Sequence, residues 1–98
     1  MHDDCLFCRI SGGAIPTDFE FEDDSVVAFR DINPQSPIHV LIVPKRHIAT
    51  LNELGEADAG LVGHMILTAQ ALAEKEGIAE PGYRLVFNCN PDGAQSVY

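Results

Sequence analysis

The chain has 98 residues, 46% of them hydrophobic, which predicts one globular domain spanning residues 1–98 with a single modest core. Its formal charge of −9 argues against a nucleic-acid polymer as partner, although a few local donors suffice to hold a mononucleotide. It has no apolar run of membrane length, no basic leader and an odd count of three cysteines, so we expect a cytoplasmic protein with neither a membrane span nor a disulfide scaffold.

The first half of the chain predicts a short helix followed by a hairpin. Cys5–Ile10 is apolar on one side, and Ser11-Gly12-Gly13 ends it. Acidic and aromatic residues alternate over Asp18–Glu22, which is typical of a strand with one wet face. The polar residues Asp23–Ser25 then form a tight turn, and Val26–Arg30 returns as the second strand.

The second half predicts a buried strand, a long helix and two further strands. Ile38–Val43 is almost continuously apolar, which favours a central strand covered on both faces. Apolar residues at helical spacing predict a helix over roughly Glu56 to Glu76, with Gly77 as its C-terminal cap. Arg84–Asn88 alternates as a strand does, and a turn at Asn90–Gly93 leads to the last strand. This order predicts an α+β domain with mostly antiparallel pairing.

Cys5-x-x-Cys8 is the first candidate for chemistry. A redox pair would normally follow a strand and open a helix within a βαβ unit, and no strand precedes this one. Zinc is the better functional interpretation, because two thiolates at this spacing occupy two corners of a tetrahedron, with His47 as the best third ligand within the chain. The alternative is two buried thiols that pack a short helix.

Three other polar residues have both a structural and a functional interpretation. His39 lies in the predicted central strand, where a hydrogen-bonded core histidine is the simpler reading and a role in a pocket stays open. Asp31 ends a strand, so it either caps a turn or accepts hydrogen bonds from a sugar. Ser96 has no histidine and acid placed beside it by the sequence, which favours a donor to an anion over a nucleophile.

Two long motifs resemble the histidine triad (HIT) family, and its nucleoside phosphoramidase branch in particular. The first runs from Asp31 through Pro37-Ile38-His39 to Pro44-Lys45-Arg46-His47-Ile48, and the second comprises Asn88 and Asp92–Tyr98. The resemblance covers essentially the whole chain. It implies a HIT-like fold with an antiparallel sheet of about five strands, one long and one short helix, a homodimer, and a purine nucleotide pocket on each protomer.

Carried over position by position, the resemblance implies a role for particular residues. Asp31 would accept hydrogen bonds from the ribose hydroxyls, and His39 and Ser96 would support catalysis. The ligands of a structural zinc ion would match Cys5, Cys8 and His47, and catalysis would require no cofactor. The full set of nucleotide-binding positions is Leu6, Phe7, Ile10, Ile15, Phe29, Asp31, Ile32, Asn88, Gln95 and Ser96.

The histidine motif that gives the family its name, His-x-His-x-His, would begin at the position after Tyr98. The histidine at that position would be the fourth zinc ligand. The middle histidine of the motif is the nucleophile that forms a nucleotidyl-histidine intermediate when the P–N bond of a nucleoside phosphoramidate is hydrolysed. We therefore expect these 98 residues to lack the catalytic strand and to be inactive alone, since removal of a covalent nucleophile costs on the order of 10⁴-fold in rate. The alternatives are a non-catalytic nucleotide-binding module and a zinc-organised dimerising module.

Overall fold

A computed structural model describes residues 5–13, 18–31, 37–93 and 95. These residues form two compact units, one comprising the described residues up to Ala49 and the other those from Thr50 onward. The first unit contains an antiparallel sheet and a short helix, and the second contains the long helix. This content confirms the α+β class. The single domain over residues 1–98 stays a prediction.

The first unit is built on a three-stranded antiparallel sheet in the order β1-β2-β3. The strands are β1 (Phe21–Glu22), β2 (Val26–Arg30) and β3 (Val40–Pro44). The turn between β1 and β2 is closed by Asp23, whose Oδ1 accepts hydrogen bonds from the backbone N–H groups of Ser25 and Val26. The predicted hairpin is thus confirmed, although its first strand is shorter than the alternation suggested.

The most buried strand of the described sheet is β2, and the prediction of a central strand at Ile38–Val43 is wrong for these residues. Val26, Val27 and Ala28 are fully buried, whereas β3 is buried only at Val43. The reason is the pairing, because β2 has a neighbour on each side and β3 has one neighbour among the described residues. An apolar run shows that a strand avoids water without showing its place in the sheet.

The short helix α1 (Leu6–Ser11) contributes to the core of the first unit. Ile10 is buried with Val27, Phe29 and Val43 in one apolar cluster, and Phe7 packs against this cluster from a partly buried position. The helix ends as predicted, since the N–H groups of Gly12 and Gly13 donate to the carbonyls of Cys8 and Ile10. A helix of six residues has little intrinsic stability, so burial of its apolar side holds it.

The second unit contains the long helix α2 (Ala59–Lys75), which a 3₁₀ turn at Glu56–Asp58 precedes. Its end is a Schellman motif, in which the N–H of Ile78 donates to the carbonyl of Ala73 and the N–H of Gly77 to that of Glu74. Gly77 has a φ of +75°, a conformation that glycine adopts without strain. The predicted helix and its cap are therefore confirmed.

The apolar side chains of α2 are not all buried. Thr68, Ala69, Leu72 and Ala73 are buried, whereas Ile66 is 45% exposed. Neither of the two α-helices in the described part of the chain combines the length and hydropathy that a bilayer crossing requires.

The predicted strand at Arg84–Asn88 is wrong for the described residues. Residues 83–89 form no strand, and the side chains of Leu85, Val86 and Phe87 are 44%, 64% and 49% exposed. Alternation identifies residues suited to a sheet, but a strand also requires a hydrogen-bonded neighbour, and no described strand pairs with this segment. The described sheet accordingly has three strands rather than about five.

Candidate functional site

The N-terminus of α1 places two thiols beside an imidazole. Cys5 is the residue that precedes the helix, Cys8 lies in its first turn, and His47 follows the end of β3. The Sγ of Cys8 lies 3.0 Å from Nδ1 of His47. The three potential ligand atoms of Cys5, Cys8 and His47 all lie within 4.8 Å of one another.

The chemistry of this cluster suits a soft or borderline metal ion. Both thiols are 7% exposed, so the surrounding protein shields them from water. Two thiolates and one imidazole nitrogen are ligands that zinc prefers, and structural zinc sites take four such ligands in a tetrahedron. The structure thus brings together the three residues that the sequence grouped as metal ligands. Their sulfur and nitrogen donor atoms are of the kinds that zinc binds.

The apolar positions assigned to a base and ribose site differ in exposure. Leu6 is 43% exposed, whereas Ile10 and Phe29 are 8% and 5% exposed and belong to the core of the first unit. Phe7 lies between these extremes, and its ring centroid is 6.4 Å from that of Phe29. Among the members of this set that the structure describes, Leu6 and Phe7 are therefore the ones whose side chains reach the surface of the first unit.

Asp31 and His39 meet where the pairing of β2 with β3 ends. The last cross-strand pair is Arg30 with Val40, and one step further the N–H of Asp31 donates to the carbonyl of His39 at 3.0 Å. Their side chains approach as well, with Nε2 of His39 3.5 Å from Oδ2 of Asp31. We considered the two residues separately in the sequence, and only the strand register shows that they face each other.

The turn before Gln95 is closed by that residue's own side chain. Oε1 of Gln95 accepts a hydrogen bond of 2.7 Å from the N–H of Asn90, and the N–H of Gln95 donates to the carbonyl of Asn90 at 3.1 Å. Asn90 has a φ of +60°, so a residue other than glycine takes the left-handed conformation in this turn. Asn88 lies in the extended segment before this turn and is exposed.

One contact in the second unit had no signal in the sequence. Oγ1 of Thr50 lies 3.4 Å from Sγ of Cys89. Cys89 is of intermediate exposure. Because 39 positions separate the two residues, no local pattern points to the pair.

Three predicted site residues, Ile15, Ile32 and Ser96, lie outside the described residues. Their roles stay predictions, as do the roles of Asn88 and Gln95 at a phosphate.

Comparison with protein families and curated proteins gives matches over almost the whole chain. The family model DcpS_C, described as "Scavenger mRNA decapping enzyme C-term binding", matches residues 4–98. The chain is 46% identical over 98 residues to purine nucleoside phosphoramidase of Escherichia coli K12, covering all of this chain and 82% of that protein. It is 43% identical over 95 residues to adenylylsulfatase HINT1 of Arabidopsis thaliana, covering 95% of this chain and 64% of that protein.

A solved structure shares the fold as well as the sequence. The crystal structure of a HIT family hydrolase from Legionella pneumophila Philadelphia 1 is 52% identical, with a TM-score of 0.95. The match covers 97% of this chain and 85% of the other. At this identity and coverage, sequence and architecture point to the same family.

Proposed function

Since the chain belongs to the histidine triad family of hydrolases, we propose that it binds a purine mononucleotide and that its activity, in a form with the triad histidines, is hydrolysis of nucleoside phosphoramidates. The 46% identity to a purine nucleoside phosphoramidase carries this proposal. The structure supports it through an acceptor, Asp31, and an exposed apolar side chain, Leu6, in the same unit.

In this proposal the first unit binds the nucleoside. The exposed side chain of Leu6 and the partly buried ring of Phe7 contact the base, while Ile10 and Phe29 support them from the core. The Asp31 carboxylate accepts hydrogen bonds from the ribose hydroxyls, which are donors that a carboxylate pairs with directly. Asn88, Gln95 and Ser96 keep the predicted role of phosphate-binding residues.

The chemical step follows the family's covalent route. An imidazole nitrogen attacks phosphorus, the amine leaves with a proton, and water then cleaves the nucleotidyl-histidine bond and releases the nucleoside monophosphate. The attacking imidazole belongs to the motif that would follow Tyr98.

Calorimetric titration of the 98-residue chain tests the binding proposal. Adenosine and guanosine monophosphates should bind more tightly than cytidine monophosphate and ribose 5-phosphate, because the larger purine buries more apolar surface. Leu6→Ala should weaken purine binding by about fivefold, whereas Leu67→Ala, at a 63% exposed leucine of α2, should leave it unchanged. Equal binding of ribose 5-phosphate and the purine nucleotides would contradict the proposal.

A second proposal concerns the metal. We propose that Cys5, Cys8 and His47 bind a structural zinc ion, because two buried thiols and an imidazole meet within 4.8 Å. A bound ion would link α1 to the end of β3, with the fourth position taken by water or a further side chain. Zinc would contribute to stability rather than to the reaction.

Thermal unfolding with and without zinc tests this assignment. At a free zinc concentration 100 times the dissociation constant, binding should stabilise the fold by about 2.7 kcal/mol. His47→Ala should remove most of that gain, and His64→Ala, on α2 and outside the cluster, should retain it. Equal zinc stabilisation of the two variants would rule out the assigned ligand set.

The family resemblance further implies a homodimer, which we also propose. The exposed apolar side chains of Tyr83, Leu85, Val86 and Phe87 in the second unit fit this proposal, because large apolar groups in one segment favour association. Sedimentation equilibrium should give twice the mass of the chain, and Val86→Glu should shift the equilibrium toward monomer. A mass of one chain at all concentrations would contradict it.

A further inference from the structure

The pair formed by Asp31 and His39 is held at both the backbone and the side chains. The N–H of Asp31 donates to the carbonyl of His39 at 3.0 Å, which fixes the two residues opposite each other at the end of the ladder. Nε2 of His39 then lies 3.5 Å from Oδ2 of Asp31. The side chains are 27% and 22% exposed, so both are partly shielded and both remain within reach of a ligand.

The chemistry of the two groups sets the direction of this contact. A carboxylate oxygen accepts hydrogen bonds, so the contact is favourable when the imidazole carries a hydrogen at Nε2. The contact restrains one oxygen of Asp31 and thereby the plane of the carboxylate. A carboxylate has about four lone-pair positions, and the contact with His39 involves only one of its two oxygens.

We propose that His39 is a positioning residue that orients the Asp31 carboxylate toward the two adjacent hydroxyls of a ribose, and that the pair thereby selects ribonucleotides over 2′-deoxyribonucleotides. This inference rests on the proposed nucleotide-binding function. It assigns His39 a role in sugar selection, beside the supporting role in catalysis that the family resemblance implies. The carboxylate offers two oxygens to two neighbouring O–H donors, and a 2′-deoxyribose lacks one of them.

A purely structural role for the pair would have a different signature. If the contact only joined the ends of β2 and β3, loss of the imidazole would lower the stability of the fold and reduce the affinity for all nucleotides by the same factor. If the imidazole orients the carboxylate, its loss should mainly reduce the affinity for the ribonucleotide, which has both hydroxyls. The ratio of the two dissociation constants, for 2′-deoxyadenosine and adenosine monophosphates, therefore separates the two roles.

Calorimetry on the 98-residue chain with these two nucleotides measures that ratio. The unmodified chain should prefer the ribonucleotide by about tenfold, as expected when one hydrogen bond to a charged acceptor is lost. His39→Ala should reduce the preference to about threefold or less, with affinity for the deoxynucleotide changed by less than about twofold. Asp31→Asn should reduce it similarly, and adding His39→Ala to that variant should have little further effect.

A second substitution keeps the test decisive if the alanine variant fails to fold. His39→Gln places an amide N–H near the position of Nε2 and should restore part of the preference, whereas the shorter side chain of His39→Asn should not. His64→Ala, a histidine of α2, is the matched control and should leave the ratio unchanged. A ratio unaffected in every folded His39 variant would overturn the positioning role.

The remaining outcomes separate this inference from the function on which it rests. If the unmodified chain bound neither nucleotide, the proposed function would fail and the inference with it. If it bound both with equal affinity, nucleotide binding would stand and the role of the Asp31 and His39 pair in sugar selection would be wrong.

Discussion

Two apolar stretches with similar sequence patterns have very different surroundings in this protein. In β2, Val27 and Ala28 are fully buried, and each has a cross-strand partner in both β1 and β3. In residues 83–89, Leu85, Val86 and Phe87 are 44–64% exposed, and no described strand pairs with them. A run of apolar and β-forming residues therefore shows that a segment suits a sheet, while a neighbouring strand decides whether the segment forms one.

Amide hydrogen exchange should show the largest difference between the two stretches. The amides of β2 should exchange only through global unfolding, with a free energy of opening of at least about 5 kcal/mol. At concentrations where the chain is monomeric, the amides of Leu85, Val86 and Phe87, which donate no backbone hydrogen bond to another described residue, should exchange at close to the rates of an unfolded chain. Comparable protection of the two stretches would show that residues 83–89 are paired in solution.

Two phenylalanines offer a matched test of packing. Phe29 is 5% exposed and belongs to the core cluster, so Phe29→Ala should destabilise the protein by about 3–5 kcal/mol. Phe87 is 49% exposed in the single chain, so Phe87→Ala should cost the monomer about 1 kcal/mol or less. Urea unfolding of both variants measures the difference. Equal losses would mean that Phe87 is buried in solution.

Two glycines test the backbone conformation of α2 and of its C-terminal end. Gly77 has a φ of +75°, so Gly77→Ala should destabilise by about 1 kcal/mol. Gly63 is inside α2 and a Cβ there would meet no atom within 4 Å, so Gly63→Ala should stabilise by roughly the same amount. Thermal unfolding shows whether each substitution raises or lowers the stability. A gain from Gly77→Ala would contradict the left-handed helix end.

The smallest expected effect concerns the exposed rim of the sheet. Nε of Arg30 lies 2.8 Å from Oε1 of Glu20, with the arginine side chain 45% exposed. A double-mutant cycle with Arg30→Gln and Glu20→Gln should give a coupling of about 0.2–1 kcal/mol that decreases with added salt. A larger coupling that persists in high salt would mean that the pair is shielded from water.

Local patterns predicted the elements whose stability is local. The turn at Asp23–Ser25, the extent of α2 and its end at Gly77 all depend on residues close together in the chain, and all are confirmed. The place of β3 at one side of the described sheet depends on which strands are neighbours. Alternation within one segment contains no information about that choice.

The residues of the candidate site likewise fall into those that the sequence could predict and those that only the fold brings together. The grouping of Cys5, Cys8 and the distant His47 could be predicted, because few residue types ligate zinc and two of the three are closely spaced in the chain. The structure places their donor atoms together. The contact between Asp31 and His39 was not predicted, because it depends on the register of β2 against β3. Exposure also followed tertiary packing, since Leu6 and Ile10 are both apolar positions of α1 and only Leu6 reaches the surface.

A crystal structure of the chain with adenosine monophosphate would show where the nucleotide binds. We predict the purine against Leu6 and Phe7 of α1 and the ribose hydroxyls within hydrogen-bond distance of the Asp31 carboxylate. A nucleotide bound elsewhere, with neither contact, would contradict the account.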